Sequence, residues 1–150
     1  MKLQEIFDKA ARHLMHMDSP SVNADGDACV YRGRHGSCEY DGGLGELNGE
    51  MCAVGLFIDD QHYDDDIEGT GITDNILVAN AVAKSWGQER LRPSQLRLLS
   101  QLQSTHDRAI HASVDQWKIG VVKGLDQIAT KHHLRFDPAH INPQYRGDAI

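Results

Sequence analysis

Residues 52–69 constrain the fold more than any other segment, because an apolar run passes there directly into an acidic one. Residues 52–58, C-A-V-G-L-F-I, have to be buried, since exposing that many apolar side chains to water is unfavourable. Residues 59–68 hold six acids and neither arginine nor lysine, and a run of like charges is normally solvated. The segment therefore predicts a core element that emerges onto an acidic surface.

The size of the chain and its cysteines place it in a broad class. A chain of 150 residues predicts one domain that needs neither a disulfide nor a metal to fold. Cys29, Cys38 and Cys52 are an odd number, and the N-terminal segment is amphipathic, so we expect a cytoplasmic protein without disulfides. The longest apolar run, residues 53–58, is too short to span a bilayer, and we expect no membrane partner.

Charge is distributed unevenly along the chain. Residues 1–83 hold 5 basic and 16 acidic side chains, whereas residues 84–135 hold 9 basic and 4 acidic ones. The two parts can pair with each other inside one fold, or the acidic part can dock a partner. With a net charge of -7, we expect a partner protein with a basic surface and no direct binding to nucleic acid.

Helical spacing of apolar residues predicts four long helices, the first over residues 2–17. The other three are expected to begin near Thr73, Pro93 and Ser113, which are favourable residues for helix N-termini. The second helix is expected to carry Ile76, Leu77, Asn80, Ala83 and Lys84, and the third to have Leu96, Leu99, Leu102 and His106 on one face. In the fourth helix the residues expected to face inward are Val114, Trp117, Val121, Leu125, Ile128 and His132.

Dense turn residues between the first two helices predict a small β element. Residues 28–32 and 37–40 are expected to pair as a hairpin, and residues 44–50 to form an exposed loop. Residues 52–58 can form a buried strand or a short buried helix. Their small side chains favour the helix, although Gly55 costs it roughly 1 kcal/mol relative to alanine.

These elements predict an α+β fold that is mainly helical, with four to five helices and a small β-hairpin after the first helix. We expect residues 1–135 to form a single compact domain with an insertion-like loop at residues 37–50. Residues 136–150 contain two prolines and are expected to form a tail that lies on the surface or is disordered.

The acids of residues 59–68 are the first candidate site, and three interpretations of them stay open. They can form a solvated loop, hold a hard cation such as Mg²⁺ or Ca²⁺, or dock a basic partner. Their spacing does not match an EF-hand loop, so we assign no metal ligands. The residues predicted to bind a partner are Asp59, Asp60, Asp64, Asp65, Asp66 and Glu68.

The doublet His106-Asp107 is the second candidate, because this pair names the metal-dependent HD phosphohydrolases. His62 and Asp126 could supply the further ligands that such a site needs. Alternatively, the doublet ends the third helix, where a histidine interacts favourably with the helix dipole. Cys52 is expected to be a core residue rather than a nucleophile. The cysteines lack the C-x-x-C spacing that would support a structural zinc site, and we expect no cofactor.

Three segments form a wider pattern: D-A-C-V-Y-R-G at residues 27–33, C-A-V-G-x-x-I-x-D-x-x-Y-x-x-x-I-E-G at residues 52–69, and L-Q-x-x-H-D at residues 102–107 followed by Trp117. This pattern resembles a family of small uncharacterised proteins from tailed-phage and prophage genomes. Members usually pass directly from the Y-R-G turn to C-A-V-G, whereas this chain has an acidic, glycine-rich insertion at residues 37–50. The resemblance implies a setting, the bacterial cytoplasm during infection, and no particular reaction.

We therefore expect a small intracellular phage-type accessory protein that binds a host or phage protein through its acidic loop, without catalysis. One alternative is a metal-dependent phosphohydrolase that uses His106 and Asp107 with His62. Another is a virion or assembly component, whose oppositely charged halves would make head-to-tail contacts.

Overall fold

Helices dominate the chain, and a two-stranded antiparallel sheet follows the first of them, so the predicted fold class is confirmed. The computed structural model describes residues 1–23, 29–35, 46–108 and 113–145. No helix in these ranges is both long and apolar enough to cross a membrane. Three short 3₁₀ turns, Gly55–Phe57, Asp60–His62 and Asp65–Ile67, lie between the sheet and the second helix. The other elements are α1 (Leu3–His16), β1 (Arg32–His35), β2 (Glu46–Met51), α2 (Ile76–Ser85), α3 (Pro93–Asp107), α4 (Val114–His132) and α5 (Pro138–Ile141).

The core lies where α1, α3 and α4 pack against one another. Pro93 opens α3 and Ser113 caps α4, as the sequence predicts. The prediction that Val114 faces inward is wrong, because this first residue of α4 is 49% exposed. Gly124 of α4 permits close packing, because a Cβ there would lie only 2.7 Å from the Thr105 side chain of α3. The large side chains buried in this core are Ile6, Phe7, Leu14, Leu98, Leu99, Leu102, Trp117, Val121 and Leu125.

Helix α2 begins later in the chain than the sequence predicts, and the face that it buries also differs from the predicted one. Its N-cap is Asn75, whose Oδ1 accepts the Leu77 N–H at 3.0 Å, and not Thr73. Ile76 and Leu77 are 70% and 54% exposed, whereas the buried face is made by Val78, Ala79, Ala81, Val82 and Ala83. Because α2 is apolar on nearly every side, its periodicity does not identify the face that packs.

The hairpin lies later in the chain than the sequence predicts. Strand β1 pairs with β2 in an antiparallel register that is irregular after Arg32. The prediction of an exposed loop at residues 44–50 is therefore wrong over residues 46–50, and the predicted strand at residues 37–40 lies outside the described residues. Strand β2 is polar and contains a glycine, so its strand propensity is low and the sequence does not predict it.

Residues 52–58 are largely buried, but they form a bend and a single 3₁₀ turn rather than an α-helix. Phe57 is 2% exposed and its ring packs edge-on against Trp86, with 5.4 Å between the ring centroids. Cys52 is fully buried, and burial raises the pKa of its thiol, so its predicted place in the core is confirmed. Gly55 passes so close to Tyr31 that a Cβ on Gly55 would lie 2.0 Å from the Tyr31 carbonyl oxygen.

The segment after α4 packs against α1. The ring of Phe136 lies edge-on to Phe7, with 5.5 Å between the ring centroids. Further along, Asn142 donates from Nδ2 to the Met15 carbonyl oxygen at 3.1 Å. These contacts hold α5 on the surface of the core helices.

Candidate functional site

Five carboxylates between residues 59 and 66 are exposed on and beside the second and third 3₁₀ turns. We call Asp59, Asp60, Asp64, Asp65 and Asp66 the acidic surface. The apolar residues at its two ends, Ile58 and Ile67, are 2% and 3% exposed. Because both ends are anchored in the core, these carboxylates lie on a supported segment.

Polar contacts hold the acidic surface to the sheet and to α2. The Arg32 guanidinium donates to Asp60 Oδ1 at 2.7 Å and lies 5.0 Å from the ring centroid of Tyr63. At the other side, the Asp59 N–H donates to Ser85 Oγ, in the last residue of α2, at 2.8 Å. Because the Asp60 side chain is 94% exposed, this ion pair contributes little stability by itself, and its main effect is to orient Asp60.

Glu68 differs from the other residues that were predicted to bind a partner. Its side chain is half-buried, and its Oε1 accepts the Tyr31 N–H at 2.7 Å. Glu68 therefore joins the third 3₁₀ turn to the segment that enters β1, and we do not count it in the acidic surface.

Two exposed apolar side chains lie at the start of α2, which hydrogen bonds connect to the third 3₁₀ turn. Asn75 donates from Nδ2 to Thr70 Oγ1 at 3.1 Å, and Thr70 in turn donates to the Ile67 carbonyl oxygen at 2.9 Å. These bonds bring the start of α2 against the third 3₁₀ turn. Ile76 and Leu77 are the exposed residues of the first turn of α2, directly after Asn75.

The second candidate site centres on His106, which is fully buried near the end of α3. Its Nε2 accepts the Ser21 N–H at 2.8 Å, so the ring proton is on Nδ1, which donates to Asp107 Oδ1 at 2.8 Å. Trp117 of α4 donates from Nε1 to the His106 carbonyl oxygen at 3.2 Å. The surroundings thus fix both the orientation and the tautomer of this histidine.

Cys29 lies beside His106 and Asp107, because the Val30 N–H donates to the Ser21 carbonyl oxygen at 3.1 Å. One potential ligand atom from each of Cys29, His106 and Asp107 lies within 4.8 Å of the others, and we call these three the Cys29 cluster. Burial, the charge of Asp107 and a hydrogen bond to that carboxylate raise the pKa of the Cys29 thiol to about 12. The thiol is therefore protonated at neutral pH and is a poor nucleophile.

A cavity of about 300 Å³ opens in front of the Cys29 cluster. Gln103 forms part of its wall and fixes Asp107, because its Nε2 donates to Asp107 Oδ1 at 2.6 Å. The Gln103 Oε1 is held in turn by the Val54 N–H at 3.1 Å. The polar lining comes from Cys29, Tyr31, Thr70, Gln103 and Asp107.

The residues proposed as further ligands for the His106-Asp107 doublet lie elsewhere. His62 Nδ1 is 3.4 Å from Ser85 Oγ, and Asp126 is exposed on α4. Within the described ranges, the potential metal ligand that joins the doublet is Cys29 and not His62. Sequence reasoning missed Cys29 as a site residue, although it lies in one of the three segments that carry the phage-family resemblance.

No family model matches this chain, and no curated protein or solved structure was found to match it. Its function has to be inferred from the chemistry of these two sites.

Proposed function

We propose that this protein binds a basic segment of another protein at the acidic surface, and that it is a phage-type accessory protein of the bacterial cytoplasm. One observation carries the proposal: five exposed carboxylates lie on turns that Ile58 and Ile67 anchor in the core. The phage setting rests on the resemblance of the segments at residues 27–33, 52–69 and 102–107.

The chemistry of the patch supports a basic amphipathic partner. Neighbouring carboxylates repel one another, and arginine or lysine side chains of a partner relieve that repulsion through charge-assisted hydrogen bonds. Burying Ile76 and Leu77 would add a hydrophobic contribution to the binding free energy. Because Ile58 and Ile67 already anchor the acidic turns, little conformational entropy is lost when the partner binds.

The test replaces Asp64, Asp65 and Asp66 together with asparagine. The Asp64→Asn change keeps an Oδ1 acceptor for the N–H of residue 66, which Asp64 Oδ1 now accepts at 2.9 Å, so the third 3₁₀ turn is retained. A matched control removes three exposed charges elsewhere, in the variant Glu89→Gln, Asp115→Asn and Asp126→Asn. Binding of a lysine-rich amphipathic peptide is measured by calorimetry, and capture from bacterial lysate is compared for all three proteins.

The parent protein should bind the peptide more weakly as salt rises, since exposed charges are screened over about 8 Å at physiological ionic strength. Exposed ion pairs contribute about 0.2–1 kcal/mol each, so losing three predicts roughly 3- to 150-fold weaker binding. The control variant should bind like the parent. Equal binding by the triple variant and the parent at low salt would refute the proposal. A melting temperature that rises with Mg²⁺ or Ca²⁺ only in the parent would instead assign these acids to a cation.

A further inference from the structure

The Cys29 cluster supplies the donor set of a transition-metal site. It offers one sulfur, one imidazole nitrogen and one carboxylate oxygen, whereas Mg²⁺ and Ca²⁺ prefer oxygen ligands alone. Zn²⁺ accepts all three donor types, usually in tetrahedral geometry. Three protein ligands with one open position are typical of zinc sites that bind a further molecule.

The distances are close to those that a bound ion requires. Zn²⁺ lies about 2.0–2.3 Å from its ligands, which places neighbouring ligand atoms roughly 3.5 Å apart. The three atoms of the Cys29 cluster already lie within 4.8 Å of one another. Shifts of about 1 Å would arrange the three atoms round a common ion, and His106 Nδ1 and Asp107 Oδ1, which now lie 2.8 Å apart, would have to separate. Gln103 holds Asp107 from outside the cluster, at 2.6 Å, in the way that outer hydrogen bonds orient metal ligands.

Ser21 provides a second, independent observation. The nitrogen of His106 that faces Asp107 is Nδ1, so a metal bound there would shift the ring proton to Nε2. In the metal-free protein, Nε2 accepts the Ser21 N–H. Once Nε2 itself carries a proton, two donors, the Nε2–H and the Ser21 N–H, would face each other. Ser21 also carries a fully buried Oγ that has no hydrogen-bond partner among the described residues. A small movement of Ser21 would bring its Oγ to the His106 Nε2–H, so that Oγ accepts a hydrogen bond and Nε2–H donates one.

We propose that Cys29, His106 and Asp107 bind Zn²⁺ with a fourth position open to the 300 Å³ cavity, and that Ser21 Oγ accepts the His106 Nε2 proton in the bound state. In binding, Zn²⁺ displaces the thiol proton of Cys29 to solvent, and the ring proton of His106 moves from Nδ1 to Nε2. The fourth ligand would be water or a small anion in the cavity.

The experiment titrates the metal-free, full-length protein with Co²⁺ and then displaces Co²⁺ with Zn²⁺. We expect one equivalent of Co²⁺ to produce a thiolate-to-cobalt charge-transfer band, which Zn²⁺ abolishes. The variants Cys29→Ser and Asp107→Asn should lose the band or bind at least tenfold more weakly. Cys52→Ala and Cys38→Ser are the matched cysteine controls and should keep it. Absence of the band in the parent, or its persistence in Cys29→Ser, would overturn the proposal.

Ser21→Ala separates a metal site from a merely structural cluster. Removing the orphan hydroxyl should leave the metal-free protein as stable as the parent or slightly more stable, because no hydrogen bond of the hydroxyl is lost. It should nevertheless weaken Zn²⁺ binding about 10- to 100-fold, the usual effect of losing an outer partner of a ligand histidine. Unchanged affinity in this variant would overturn the role of Ser21. X-ray absorption of the zinc-loaded parent needs no variant, and a first shell without sulfur would overturn the site itself.

Discussion

Replacing Gly55 with alanine should destabilise the protein, although alanine is the better residue for most backbone conformations. The added Cβ would lie 2.0 Å from the Tyr31 carbonyl oxygen and 2.8 Å from its carbonyl carbon, whereas Cβ atoms in proteins essentially never approach another atom within 3.0 Å. The two chain segments therefore have to separate by about 1 Å. Because the colliding atoms belong to the backbone, no side-chain rotation can relieve the contact.

The size of the effect follows from two opposing terms. Overpacking of a rigid site costs typically about 1–3 kcal/mol, and a backbone collision should lie at the upper end. Alanine returns about 0.5–1 kcal/mol through the lower conformational entropy of the unfolded chain. A net loss of about 1–2 kcal/mol corresponds to a melting temperature lower by roughly 2–8 °C for a domain of this size. Urea unfolding gives the free energy of unfolding, and its slope checks that the native state stays compact.

Gly120 of α4 offers the matched control, since a Cβ there would meet no atom within 4 Å. Gly120→Ala should stabilise the protein by about 0.5–1 kcal/mol, through helix propensity alone. The two substitutions are chemically identical and should act in opposite directions. If Gly55→Ala proves as stable as the parent, or if both variants lose stability equally, the inferred contact with Tyr31 does not limit the fold.

Two further predictions concern the core and the cysteines. Phe57→Ala should lower the free energy of unfolding by about 3–5 kcal/mol in chemical denaturation, because the ring is 2% exposed and packs edge-on against Trp86. A decrease below about 1 kcal/mol would contradict the importance of this ring for the core. The melting temperature should be the same with and without reductant, since Cys29 and Cys52 are free thiols and the cysteine count is odd. A melting temperature that drops by several degrees on reduction would reveal a disulfide, because a disulfide stabilises the fold by about 2–4 kcal/mol.

Helices α3 and α4 could be predicted because local sequence determines where they begin. Pro93 has a backbone suited to a first helical turn, and Ser113 satisfies the N–H of Gln116 at 3.3 Å. The burial of Trp117 and Leu102 follows from their helical spacing within amphipathic segments. Local pattern and tertiary structure agree at these positions, but not at Val114, which is 49% exposed at the start of α4 although its spacing predicts burial.

Strand β2 and the buried face of α2 could not be predicted in the same way. The polar sequence of β2 has low strand propensity, and its pairing with β1 supplies the hydrogen bonds that stabilise it. In α2, both Ile76 and Val78 are apolar, and only the neighbouring elements decide that Val78 is the buried one. The exposure of the acids at residues 59–66 could be predicted from their charge alone, whereas the exposure of Ile76 could not.

The Cys29 cluster depends on a contact that no local pattern contains. Cys29 reaches His106 because Ser21 binds both the Val30 N–H and the His106 ring. The next residue along, Tyr31, donates its N–H to Glu68 at the end of the third 3₁₀ turn, and Arg32 orients Asp60. Residues 29–32 therefore position both candidate sites. Since the close approach of Gly55 fixes the backbone of this segment at Tyr31, the glycine serves the acidic surface and the proposed zinc site together.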